Sequence, residues 1–213
     1  MNKIPVSSTF LYEFDIDKCL VDDYLFQFLN QKNISEYSVY HENRLKNPST
    51  ALSLTDREGN HVSFYDQKFF SYVQYCLDQV TSLYVNFDVK ICDSWITKAK
   101  FSQEGNWHRH FNSMFSGVVY LTDHDNSHTE FQIQDSLYDK LTPWISPHIV
   151  KNNTYTIKYK PQRGKILIWP STLLHRISVS RDKKTRYTFA FNSWISGEVS
   201  NNITGKLKVK IDL

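Results

Sequence analysis

The densest chemistry in the sequence is Trp107-His108-Arg109-His110-Phe111-Asn112-Ser113. An extended chain repeats every two residues, so His108 and His110 would share one face with Cβ atoms about 7 Å apart, within reach of a single metal ion. The chain has eight histidines, so an H-x-H pair that spends its ring nitrogens on carbonyls or water is an ordinary alternative. A second feature runs from Gly164 to His175: a turn glycine, a buried strand, a proline that ends it and a histidine that opens the next strand. The third is Thr185 to Asn192. There Tyr187, Phe189 and Phe191 form one face, and Arg186, Thr188, Ala190 and Asn192 form the other. If helices or a second sheet cover the aromatic face, Arg186 and Thr188 must look into the interior. An arginine there is costly unless a carboxylate, from the protein or from an acidic ligand, meets it. The alternative is an arginine at a wet sheet edge, paired with one of the 22 acidic residues.

These residues need elements to position them. With 213 residues and 25.2 kDa, the chain fits a single domain, 1–213. A content of 40% hydrophobic and 15% aromatic residues excludes disorder. Twenty-five basic against 22 acidic residues give +3, far from the concentrated basicity of a dedicated nucleic-acid binder. Cys19, Cys76 and Cys92 lack C-x-x-C spacing, which argues against a disulfide framework or zinc ribbon and for free thiols in a reducing cytoplasm. The first residues carry no apolar signal core, and no long apolar window occurs, so a cytoplasmic protein without a membrane partner is expected.

Ser8 to Phe14 suits an edge strand, and Asp17 can cap a helix reaching about Leu29 with Val21, Leu25 and Phe28 on one face. Phe69, Val73, Cys76, Val80 and Leu83 mark a second amphipathic helix over 64–84. Beyond residue 85 the pattern holds only short β runs: 88–100, 106–111, 116–122, 129–134, 154–159, 165–169, 175–180, 185–195 and 205–211. The expectation is an α+β, mainly β protein. Its helical N-terminal part, 1–85, would pack on one face of a sandwich, jelly roll or small barrel formed by 86–213. The irregular stretches 33–62 and 135–153 are candidate lids.

The motifs His108-Arg-His-Phe-Asn-Ser-Met-Phe-Ser-Gly-Val-Val-Tyr-Leu121, G-x5-P-S-x3-H over 164–175 and R-x-T-x-A-F-N over 186–192 resemble the Fe(II)- and 2-oxoglutarate-dependent oxygenase superfamily. Within it, they resemble a group of oxygenases from phages and marine bacteria. The resemblance spans about 85 to 197 and implies a double-stranded β-helix, or jelly roll, with the helices packed on one sheet. It also implies Fe(II), 2-oxoglutarate as cosubstrate, O2, and hydroxylation of a substrate that these motifs do not name. Carried over, His175 is the distal metal ligand and Arg186 with Thr188 anchors the far carboxylate of 2-oxoglutarate. Tyr120 and Asn192 are assigned to the same cosubstrate site.

One departure matters. The superfamily's H-x-D/E is here His108-x-His110, or in the shifted register His110-x-Asn112, and neither ends in a carboxylate. A facial set of His108, His110 and His175 is favoured. A carboxylate from Glu130, Asp123 or Asp125 is the alternative, although solvated loop charge is their commoner role. Trp95, Lys98 and Asn106 flank the proposed mouth, where packing roles are also common, and His41, His61, His124, His128 and His148 are read as loop residues without a function. Two other functions stay open: a cupin-like three-histidine dioxygenase that needs no 2-oxo acid, and a non-catalytic jelly-roll binding module with its aromatics exposed.

Overall fold

The computed structural model describes residues 1–6, 9–31, 52–53, 65–133, 155–201 and 205–209. Nearly all of the two candidate lids, and His41, His61 and His148, lie outside them. The first helix, α1 (Lys18–Leu29), begins at Asp17, whose carboxylate accepts the Cys19 N–H at 2.8 Å, the N-cap expected from the sequence. In α2 (Gln67–Thr81), Asp66 plays the same part for Phe69 N–H at 2.8 Å. Phe69, Val73, Cys76 and Val80 are fully buried, as their spacing requires. Leu83 is not: the helix ends at Thr81, and Leu83 is left 47% exposed beyond it.

The helices cover one face of a large antiparallel sheet. Its strands are β1 (Asn2–Val6), β2 (Thr9–Asp15), β3 (Leu52–Ser53), β4 (Asp88–Ala99), β5 (Phe115–Tyr120), β8 (Lys165–Pro170) and β10 (Arg186–Asn201), in the order β1-β2-β8-β5-β10-β4-β3, with β11 (Gly205–Val209) paired to β10. A smaller sheet has the order β7 (Tyr155–Tyr159), β6 (Thr129–Ile133), β9 (Leu174–Ile177). The N-terminal part is therefore not wholly helical, because β1 and β2 extend the large sheet through the pairing of β2 with β8.

Strand β8 shows how the layers are held. Ile166 and Ile168 enter the core beneath the helices, whereas Leu167 and Trp169 enter a second core with Leu11, Tyr120, Phe131 and Ile133. A strand buried on both faces reads as a continuous apolar run, and the period of two deals its side chains to the two layers. Strand β10 does the same with unlike faces. Phe189 meets Phe69, Phe70 and Tyr24 edge-on at ring distances of 5.2, 5.2 and 5.8 Å, and Phe191 is also fully buried on that side.

The strand expected over 106–111 does not form. Gly105 N–H donates to the Ile177 carbonyl, His108 and His175 exchange both backbone bonds at 3.0 Å, and His110 N–H donates to the Ser171 carbonyl. From 105 to 108 is three residues, whereas from 177 to 175 is two. The register therefore slips, and the segment touches the edge of β9 at separate points instead of forming a ladder.

Gly117 of the S-G-V motif lies opposite Phe191 in the β5–β10 pairing. A Cβ there would overlap the Phe191 ring and come within 2.8 Å of the Leu167 carbonyl oxygen. Gly117→Ala should lower stability by about 1–3 kcal/mol, as overpacking does. Phe191→Leu in the same chain should recover part of the loss, both read by chemical denaturation.

Candidate metal centre

Between the two sheets lies a cavity of about 440 Å³, and three histidines form part of its wall. His175 comes from β9, while His108 and His110 come from the irregular segment docked on its edge. Ring centroids are 4.3 Å apart for His108–His175, 5.1 Å for His108–His110 and 5.3 Å for His110–His175. One ligand nitrogen from each ring lies within 4.8 Å of the others. The lost strand thus costs the cluster nothing, since the backbone stays extended enough to keep both side chains on one face.

Hydrogen bonds decide which nitrogens point inward. Nδ1 of His108 lies 2.8 Å from the Asn106 carbonyl and Nδ1 of His175 lies 2.8 Å from the Leu173 carbonyl. A carbonyl oxygen can only accept, so both Nδ1 atoms carry the hydrogen and Nε2 keeps the lone pair that a metal would need. His110 differs: its Nδ1 meets the Asn192 amide at 3.2 Å, and that amide lies 2.8 Å from Ser116 Oγ at its other end. Burial, with the charge of His108 next and that of His110 after it, pushes the His175 imidazole down to about 3. It is therefore neutral at physiological pH, the form that binds a metal.

The carboxylates considered for this site are engaged elsewhere. Glu130 accepts from Arg176 Nε at 2.8 Å and pairs with Lys158 at 3.5 Å. Asp125 pairs with Lys160 at 2.8 Å, and Asp123 accepts the Arg163 N–H at 2.8 Å. Among the described residues the metal-capable cluster is His108, His110 and His175 alone. Asn112 lines the same cavity, as do Trp95 and Asn106, whereas Lys98 lies over the Tyr187 ring on the helix-facing side.

Arg186 lines this cavity too, and it is only 2% exposed. Its Nη1 donates to Ser127 Oγ at 2.9 Å and its Nη2 to Thr129 Oγ1 at 2.9 Å, while Nε has no hydrogen-bond partner. Tyr120 is not among the lining residues. It stands behind the guanidinium, 5.5 Å from ring centroid to Cζ, and donates its own hydroxyl to Thr129 at 2.7 Å. Burial lowers the Arg186 pKa to about 10, which leaves the group cationic at neutral pH. Every hydrogen-bond acceptor around it among the described residues is neutral. Thr188, 2% exposed, lines the cavity beside it.

Sequence reasoning missed what holds Arg186. Ser127 sits in the Asp123–Ser127 turn, and His124 of that turn is buried with its Nδ1 3.1 Å from Asp182. Asp182 also accepts the N–H groups of Asp125 and Asn126. The only signal was a turn-forming composition, which says nothing about what the turn grips.

Because folding keeps His175 neutral, the unfolded chain takes up a proton below about 6.5 that the folded chain refuses until about 3. Stability from this group is intact above that window and falls as pH is lowered through it. The melting temperature of the metal-free protein should drop between pH 7.5 and 5. The drop should be shallower in His175→Gln, by as much as about 1.4 kcal/mol per pH unit at the steepest.

Comparison with known proteins gives a family likeness and a fold. Residues 93–192 match the family described as "Putative 2OG-Fe(II) oxygenase", a stretch that contains all three histidines and Arg186. Among solved structures, the fold is similar to the non-heme alpha ketoglutarate dependent epimerase SnoN of nogalamycin biosynthesis, with TM-score 0.61 and 8% identity over 94% of this chain and 88% of that one. It is similar to a Pseudomonas putida prolyl-4-hydroxylase, with TM-score 0.59 and 12% identity over 87% and 91%. It is also similar to HygX from Streptomyces hygroscopicus with nickel, 2-oxoglutarate and hygromycin B bound, with TM-score 0.56 and 9% identity over 88% and 82%. These likenesses identify the fold as a double-stranded β-helix with helices on one sheet. A curated relative, Mannosyltransferase regulator 14 of Saccharomyces cerevisiae, is 23% identical over 125 residues, which is 47% of this chain and 13% of the yeast protein. Through residues 93–192, the chain resembles the 2OG-Fe(II) oxygenase family.

Proposed function

We propose that this protein is an Fe(II)- and 2-oxoglutarate-dependent oxygenase of the hydroxylase type, with His108, His110 and His175 as the metal ligands and Arg186 as the anchor for 2-oxoglutarate. One observation carries the reading: a three-imidazole cluster and a buried guanidinium whose hydrogen-bond partners among the described residues are all neutral share one cavity. A buried unpaired charge costs several kcal/mol, and a dicarboxylate that chelates a metal at one end and meets the arginine at the other removes that cost.

The donor set fits the metal. Three neutral imidazoles on one side of Fe(II) leave positions for a 2-oxo acid and O2, and a divalent ion with Arg186 gives the cavity three positive charges to hold a dianion. When bound, Fe(II) and 2-oxoglutarate supply the oxidation: O2 is consumed, 2-oxoglutarate becomes succinate and CO2, and one oxygen atom goes to the substrate. The protein's own part is placement. Ser127 and Thr129 aim the guanidinium, Tyr120 backs it, and Thr188 lies beside it to donate its hydroxyl to the same carboxylate. Trp169 and Phe131, both buried, wall the site next to His175 at ring distances of 4.9 and 6.3 Å and keep water from that side.

The cupin-like reading, without 2-oxo acid, draws on the cluster's having no carboxylate among the described residues. Anaerobic titration separates the two. A charge-transfer absorption that appears only when 2-oxoglutarate joins bound Fe(II) is expected here, and bound iron with no such band would favour the cupin-like site. Three unpaired thiols support a cytoplasmic setting, and no described helix is long and apolar enough to cross a membrane.

Arg186→Ala should weaken 2-oxoglutarate binding by roughly two orders of magnitude or more in calorimetry, with the metal still bound, as loss of one partner in a buried charge pair does. Arg186→Lys should recover only part, because an ammonium cannot bind a carboxylate through two parallel bonds. Unchanged cosubstrate affinity in Arg186→Ala would overturn the assignment.

A further inference from the structure

We infer that Asn192 is a positioning residue that holds His110 in the one tautomer able to bind a metal, and that three buried serines decide which way its amide points. The inference rests on the metal reading above. It follows from counting protons in a closed network. Ser113, Ser116 and Ser171 appear in the N-S-x-x-S-G and P-S parts of the motifs, and all three are buried.

Ser113 Oγ lies 2.9 Å from the Phe115 carbonyl and 3.1 Å from the Ser193 carbonyl. Ser113 Oγ also accepts the Ser193 N–H at 3.2 Å, and its one proton goes to a carbonyl, since otherwise its own oxygen would face both carbonyl oxygens at this distance with no hydrogen between them. The contact of Ser171 with Ser113, at 2.7 Å, therefore uses the Ser171 proton. By the same step, the 2.8 Å contact between Ser116 and Ser171 uses the Ser116 proton.

Ser116 has then no proton left for Asn192, 2.8 Å away, and can only accept. The structure places Asn192 Nδ2 3.2 Å from His110 Nδ1 and Oδ1 2.8 Å from Ser116 Oγ; with Ser116 unable to donate, the amide is assigned turned over, its nitrogen on Ser116 and its oxygen on His110 Nδ1. An amide oxygen only accepts, so His110 Nδ1 carries the hydrogen and Nε2 presents its lone pair to the metal. The reverse placement, with the amide nitrogen on His110, asks Ser116 for a second proton. It also moves the imidazole hydrogen onto Nε2, where it blocks coordination. The two placements have the same outline, so the network decides between them.

The three ligands are thus locked by different means. Backbone carbonyls hold His108 and His175, whereas His110 depends on a side chain that could turn over. Loss of such an outer partner typically costs 10- to 100-fold in metal affinity.

The test uses the full chain and Co(II) as the probe. Long-range nitrogen–proton correlation spectra of the metal-free protein should show His110 with its hydrogen on Nδ1; a hydrogen on Nε2 overturns the inference. Asn192→Ala should bind Co(II) about 10- to 100-fold more weakly. Asn192→Asp, whose carboxylate accepts from His110 Nδ1 but can take the Ser116 proton only at the cost of the Ser116–Ser171 bond, should restore part of the affinity. Ser171→Ala, which frees the Ser116 proton to turn the amide over, should shift the His110 spectrum toward the other tautomer. Wild-type affinity in Asn192→Ala overturns the inference even when the metal reading stands. Should the wild-type chain bind no Co(II), the metal reading fails, and the His110 spectrum still tests the lock. If a variant fails to fold, the wild-type spectrum decides by itself.

Discussion

Everything at the site depends on the two-sidedness of β10. The core beneath α1 and α2 takes Phe189 and Phe191, and Tyr187 packs against its edge. Successive side chains of a strand point to opposite faces, so once the aromatics are committed, Arg186, Thr188 and Asn192 have nowhere to go except the space between the sheets. Burial of those rings contributes on the order of 2 kcal/mol each, enough to impose a position on an arginine that would otherwise seek water. A slip of one residue would exchange the two faces, which is why the register with β4 and β5 on either side matters.

The polar interior that results is built in two layers. The inner layer is the three imidazoles and the guanidinium, whose positive charge suits the cavity to an acidic ligand. The outer layer is neutral and saturated: Ser127, Thr129 and Tyr120 around Arg186, and Ser113, Ser116, Ser171 and Asn192 around His110. A buried polar group is tolerated when its hydrogen bonds are made, and a network with every proton assigned has one arrangement instead of several. The orientation of the ligands is therefore set before any ligand arrives.

The turn that carries Ser127 shows how far this reaches. Asp182, on the loop before β10, accepts the His124 ring and two backbone N–H groups of the turn. The loop that leads into Arg186 and the turn that receives it are thus tied to each other. The irregular 105–112 segment is fixed in the same economical way, by isolated backbone bonds to β9 and its approach.

Much of this was legible in the chain of residues. The helix caps at Asp17, the a/d-like spacing of α2, the short β runs and the opposite faces of β10 follow from local periodicity, which needs no knowledge of distant partners. The H-x-H spacing and the polar face of 186–192 likewise marked their residues as candidates. What tertiary structure alone decided was company: that the His175 ring meets those of residues 65 and 67 positions earlier in the chain, that Glu130 belongs to Arg176 instead of the cluster, and that Tyr120 stands behind Arg186. It also decided the fate of 106–111, whose pattern promised a strand but whose partner offered a mismatched register. Periodicity describes which way a side chain points from its own backbone. Which groups meet, and where each proton must lie between them, depends on strands brought together from far along the chain.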